Sequence, residues 1–244
     1  MDMILPTIVL TLGWFAAINT VASILAWALC GWLLDSHRAV GARSLLAVRL
    51  FPSALSIVFA AGMFLPAHVM LEPRDAHERL GIVWYGLAAA GAFLVVRSAA
   101  RARRVWRLGR QLREGERSAV SLPSGVVEVP GHPGVSLAGV IRPRILIGPE
   151  VVRQLTPAEL DLAIAHELAH RDAFDNLARW SIACAPDWFG SSARARRIEQ
   201  AWHEAAESLA DGTAIRGDRH RAVHLASALI KVARLSAFAW PAWP

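Results

Sequence analysis

Cysteine and tyrosine are nearly missing from this 244-residue chain, which has two Cys, Cys30 and Cys184, and a single Tyr, Tyr85. Two cysteines so far apart make neither a disulfide framework nor a Cys-based metal site. Charge is missing from long stretches as well. No Asp, Glu, Lys or Arg occurs from Met3 to Leu34, from Leu50 to Leu71 or from Leu80 to Val96. Runs of this length exclude an ordinary soluble domain and are long enough to cross a bilayer, the third near the short limit. The first is too long for the apolar part of a cleaved signal peptide, lacks a basic start, and has no small-x-small site followed by polar sequence, so it is expected to be retained. A hydrophobic content of 55%, ten Trp and a mean hydropathy of +0.36 agree.

What charge there is falls between the runs and orients them. His37, Arg38, Arg43 and Arg49 oppose one acid, Asp35, after the first run, and Arg97, Arg101, Arg103, Arg104, Arg107, Arg110, Arg113 and Arg117 follow the third. The loop between the second and third, with Glu72, Arg74, Asp75, Glu78 and Arg79, is slightly acidic. The positive-inside rule then predicts an inner (plasma) membrane protein with its N-terminus outside and everything after Arg97 in the cytosol. The net charge of +6 needs no nucleic-acid partner, because an Arg-rich stretch directly after a span rests on anionic headgroups. Val105, Trp106, Leu108 and Leu112 interrupt those arginines at partly helical spacing, which predicts a helix continuing from the third span along the interface.

Beyond about Ser118 the texture changes. Val126 to Ile147 is β-branched and punctuated by Gly131, Pro133, Gly134, Gly139 and Pro143, the pattern of short strands and turns. Such a sheet either offers an edge on which an extended peptide pairs or is a plain supporting hairpin. A helix then starts at Thr156-Pro157-Ala158-Glu159, a capping box with Pro at the first helical position. That helix carries His166-Glu167-Leu168-Ala169-His170. Residues i and i+4 share a helix face, so both imidazoles can meet one metal ion, and Glu167, about 100° round the helix, is placed as a general base. The competing reading, a surface helix with two incidental histidines, fits poorly with Leu162, Ala163, Ile164, Ala165, Leu168 and Ala169 around them, because buried His and Glu need a partner.

A hydrolytic zinc needs a third protein ligand and one open position. The stretch from about Ile198 to Ile215 supplies Glu199, His203, Glu204, Glu207 and Asp211. Glu207 is the favoured ligand and Glu204 the next; Asp211, one turn beyond Glu207, is placed to accept from a ligating His. The alternative for these acids is a solvated face paired with nearby arginines. His203, His220 and Arg219 are the candidates for stabilising an oxyanion, and none is favoured.

Three segments together, Gly139-Val140-Ile141-Arg142-Pro143-Arg144-Ile145-Leu146-Ile147, His166 to Asp172, and Glu207-Ser208-Leu209-Ala210-Asp211, resemble the BlaR/MecR-type antirepressor membrane zinc metallopeptidases. The resemblance covers most of the chain. Membrane proteases of the Ste24/HtpX type share the His and Glu motifs and fit the strand segment and span order less well. What the resemblance implies is Zn2+ on His166, His170 and Glu207, Glu167 as base and acid, and cleavage of a cytosolic transcriptional repressor or of the protein itself. The sequence ends at Trp243-Pro244 without the β-lactam-sensing domain of the best-known members, so antibiotic sensing is not expected.

The expected fold is a mainly α membrane protein. A region 1–97 has three N-terminal transmembrane helices at about 3–34, 50–71 and 80–96. A basic juxtamembrane segment 98–118 leads to a cytosolic α+β zincin-like metallopeptidase domain 119–221. A candidate fourth transmembrane or interfacial helix, 222–244, follows; His224, Lys231 and Arg234 would be costly in a span. The expected partners are a protein substrate and the lipid bilayer. The other functions weighed are a Ste24/HtpX-like quality-control protease and a catalytically silent signalling protein.

Overall fold

The computed structural model describes residues 4–35, 40–71, 80–115, 120–121 and 126–239, the backbone alone at 108–115, 120–121 and 236–239. His37, Arg38, the acidic loop from Glu72 to Arg79, Arg117 and the C-terminal Trp240 to Pro244 lie outside the described residues. The chain forms two compact units, one of Met1–Arg103 with Ser181–His203, the other of Arg104–Trp180 with Glu204–Pro244.

The first unit is built on the apolar runs. Helix α1 spans Ile4–Asp35, α2 spans Ala42–Ile57 and α4 spans Ile82–Gly115. Helix α2 continues through π-helical turns at Val58–Phe64 into α3, Leu65–Leu71. The widened turns precede Pro66, whose ring lacks an N–H and clashes with the carbonyl four residues back in an ordinary α-helix. Among the described residues, Ile4–Asp35, Ala42–Leu71 and Ile82–Arg107 are long and apolar enough to cross a membrane. The expected continuation of the third span as one helix is present through Gly115. Cys30 and Cys184 are both free.

The second helix differs from its expected start at Leu50, because it begins at Ala42 and takes Arg49 inside. Read as a loop charge, Arg49 is instead 2% exposed and bridges Asp187, itself fully buried, at 3.1 Å. Arg49 also pairs with Glu199, while Asp187 accepts from the Ser53 hydroxyl and the Gly190 N–H. Gly190 leaves no room for a Cβ beside the guanidinium. Asn19 of α1 completes the knot, donating to Ser56 Oγ at 3.1 Å and the Pro186 carbonyl at 3.0 Å. A charge in an apolar unit is tolerated only when paired and hydrogen-bonded. This is why the segment after Cys184 belongs with the apolar helices although its position in the sequence suggests the downstream domain.

In the second unit a four-stranded sheet has the order β1 (Val120–Ser121), β2 (Val126–Glu128), β4 (Arg144–Ile147), β3 (Val135–Ala138). The pair β2–β4 is parallel and β3–β4 antiparallel, so β3 lies at an edge. The short helix α5 (Pro149–Gln154) leads into α6 (Pro157–Asp172), where Thr156 and Glu159 form the expected reciprocal cap. Val126, Ile145, Ile147, Val151, Leu155, Ala163 and Ala228 form the core between sheet and helices.

Helix α9 (Arg219–Ala239) packs on α6 through Leu225 and Ala228, both buried. Lys231, the only lysine in the sequence, accounts for one charge that a span would not tolerate: its Nζ bonds both Glu159 oxygens at 2.8 and 2.7 Å. Glu159 is 4% exposed, and the bonds from Lys231, then Ser227, then the Thr156 backbone hold its carboxyl down at about 2 against an ordinary 4.5. A depressed carboxyl stabilises the fold fully above its unfolded value and loses that contribution as pH falls towards its folded value. Lys231→Met should therefore lower stability near neutrality by about 1 kcal/mol. The gap from wild type should close between pH 4.5 and about 2 in melting experiments; a gap constant with pH would show that Lys231 acts by packing alone.

Candidate metal centre

Helix α6 places His166 and His170 one turn apart, 5% and 7% exposed. Their Nε2 atoms lie 3.1 Å from each other, and Glu207 Oε2 of α8 (Ala193–Ile215) lies 3.5 Å from each. These three side chains form the one group among the described residues able to hold a metal ion. Helix α8 starts earlier than the expected Ile198, with the Ser192 hydroxyl accepting the Ala195 N–H at 3.0 Å as its cap.

The outer ring nitrogens decide which way the inner ones face. His170 Nδ1 lies 2.6 Å from Asp175 Oδ2, and His166 Nδ1 lies 2.9 Å from Asp211 Oδ1. The His166 and Asp211 atoms are buried, and neither makes a hydrogen bond among the described residues; their contact is the 2.9 Å approach of ring nitrogen to carboxylate alone. An ionised carboxylate only accepts, so each Nδ1 carries the hydrogen and each neutral ring turns a bare Nε2 lone pair inward. Two lone pairs 3.1 Å apart, with a carboxylate oxygen beside them, repel one another unless a cation lies between. The spacing also suits one. A tetrahedral ion with nitrogen and oxygen ligands at about 2.0–2.2 Å has ligand-to-ligand edges of about 3.3–3.6 Å. The residues present fit a metal.

Burial lowers the His166 titration, and the neighbouring His170 adds to this. His170 is raised, chiefly by the Asp175 bond. Glu167, on the flank of the same helix, is pushed up to about 7, first by burial; the backbone of Leu137 on β3 offsets part of this by donating to its carboxyl. A carboxyl poised near neutrality suits a group that takes and returns protons.

Of the expected site residues, His166, His170, Glu207 and Asp211 come together and Glu167 sits on the adjoining face. Glu204 is exposed, and Arg219 and His220 lie exposed at the start of α9. Sequence reasoning missed Asp175 and Arg179. Residue i+5 on a continuous helix would point well away from His170. Helix α6 stops at Asp172, however, and Phe174 takes φ 60°, turning the chain so that α7 (Asp175–Cys184) begins against the imidazole. Arg179, one turn into α7, donates to Glu207 Oε1 at 3.4 Å, leaving Oε2 towards the histidines.

Asn176 donates to the carbonyls of Leu137 and Gly139, at 2.8 Å each, along β3. With Leu137 N–H on Glu167, the outer edge of β3 at Leu137 is satisfied by side chains of the centre itself.

Asp175→Ala removes the acceptor that fixes the His170 tautomer. Metal affinity, measured by competition with a chromophoric chelator, should fall about 10- to 100-fold; unchanged affinity in a folded variant would remove Asp175 from the centre. No family model matches this chain, and neither a curated protein nor a solved structure matches it.

Proposed function

We propose that this chain is an integral-membrane zinc metalloendopeptidase whose catalytic unit faces the cytosol. The observation that carries the reading is the inward pair of Nε2 lone pairs with Glu207 Oε2 at 3.1–3.5 Å, each imidazole backed by its own carboxylate. Two His and one Glu are the ligand set of catalytic rather than structural zinc, because three protein ligands leave a fourth position open. Zinc held there supplies Lewis acidity, which activates water and polarises the scissile carbonyl. His166, His170 and Glu207 hold it; Asp211 and Asp175 orient the rings, and Arg179 holds the second oxygen of Glu207. Glu167 takes the proton from the attacking water and returns it to the departing amine.

An extended substrate has β3 as the edge beside Glu167, and to pair at Leu137 it has to displace the Asn176 and Glu167 contacts. The sequence resemblance favours regulatory cleavage, of a transcriptional repressor or of the protein itself, over general quality control. The basic stretch after the third apolar run supports a cytosolic placement.

The test is zinc content and cleavage of a panel of cytosolic proteins by the detergent-purified full chain. About one zinc per chain, as three protein ligands at a single site require, with cleavage of one or a few proteins, is the expected result. His170→Ala should lose the metal and the cleavage together. Broad cleavage of unfolded proteins would move the assignment to quality control, and normal zinc stoichiometry in His170→Ala would overturn the ligand set.

A further inference from the structure

The apolar unit carries a cavity of about 560 Å3 that has no part in the metal centre. Thr20 and Trp27 of α1 and Leu87 and Ala90 of α4 line it, together with Trp188 and Phe189. Its volume is in the range of ligand sites, and its walls are almost wholly apolar. Helices α1 and α4 meet where Gly13 lies against Trp84 and Leu87, Gly91 against the Leu12 backbone, and Phe15 clusters with Leu94. Trp188 in turn stacks on Phe93.

The turn carrying Trp188 and Phe189 lies where the apolar runs finish. Arg97, the first charge after the third run, donates to Ser191 Oγ at 2.8 Å and to the Asp187 carbonyl at 2.6 Å. The turn from Asp187 to Ser192 therefore stands at the depth of that arginine. Trp and Arg at the end of a span seat at the headgroup boundary. Just beyond the turn, the Arg194 guanidinium lies 3.6 Å from the Trp27 ring centre and donates one N–H to the Trp27 carbonyl at 2.8 Å. A guanidinium has five N–H groups in a rigid fork that suits phosphate oxygens, and the rest of this fork has no partner among the described residues.

An apolar slot within the span and a cation at headgroup depth, sharing Trp27 as their common wall, match an amphiphile with one acyl chain and one phosphate. We propose that this cavity is a phospholipid site, with an acyl chain between α1, α4 and the Trp188–Phe189 turn and the phosphate on Arg194. The inference is independent of the hydrolytic reading.

Native mass spectrometry of the detergent-purified full chain tests it, with dioleoylphosphatidylglycerol as probe and dioleoylglycerol as the same tails without phosphate. Wild type should retain one phosphatidylglycerol at detergent concentrations that strip other lipid, and hold dioleoylglycerol more weakly. Ala90→Phe and Thr20→Phe, which fill the slot from opposite helices, should each lower retention about tenfold or more. Arg194→Gln should lower retention of phosphatidylglycerol about fivefold and leave dioleoylglycerol unchanged. Equal retention by wild type and a folded filled variant overturns the acyl site, and equal retention of the two probes by wild type overturns the phosphate site. Should both filled variants fail to fold, the comparison of the two probes on wild type and Arg194→Gln decides alone.

Discussion

Glu167→Gln should retain about one zinc per chain, the count for a single three-ligand site, and lose about 100- to 10,000-fold in hydrolysis, the range for removal of a general base. The amide keeps the shape of the carboxyl and can still accept the Leu137 N–H, but it cannot take a proton from water. Glu167 is not among the three converging ligands, so metal content should not change. This separates the variant from His170→Ala, which should lose metal and activity together. An active Glu167→Gln protein with full zinc would refute the assignment of the base, and a metal-free one would place Glu167 among the ligands.

Asp187→Ala should destabilise the apolar unit by about 3–5 kcal/mol. Asp187 is fully buried and accepts from Arg49, Ser53 and the Gly190 backbone. Its loss leaves an arginine that is 2% exposed with Glu199 as its remaining carboxylate and orphans two further donors. Thermal melting in detergent reads the effect. Joint replacement, Arg49→Met with Asp187→Leu, should recover much of the loss, because the desolvation cost of both charges vanishes with them. A single variant as stable as wild type would show that water already reaches the knot.

Residues that act through local geometry were legible in the sequence. Charge-free length fixes three helices fit to span a membrane, and the Thr156 to Glu159 capping box fixes the start of α6. Helical periodicity alone puts His166 and His170 on one face, and puts Glu207 and Asp211 on one face of α8. The pairing of those two faces was expected from the chemistry of zinc rather than from any pattern along the chain, and the 3.5 Å separations bring the faces together.

Other residues could not be read, because their partners are remote in sequence. Arg49 looks like a loop charge until Asp187, 138 residues away, neutralises it. Lys231 reads as a liability in a candidate span until Glu159 of α6 accepts it.

Spacing within one element accounts for the apolar runs, the caps, and the same-face pairs His166 with His170 on α6 and Glu207 with Asp211 on α8. Which side chains back the histidines from beyond a turn, which sheet edge meets Glu167, and the grouping of the segment after Cys184 with the apolar helices all follow from the path of the folded chain. Periodicity constrains neighbours within a turn or two. A left-handed residue such as Phe174, or a buried pair such as Arg49 with Asp187, brings together groups whose proximity depends on the path of the whole chain.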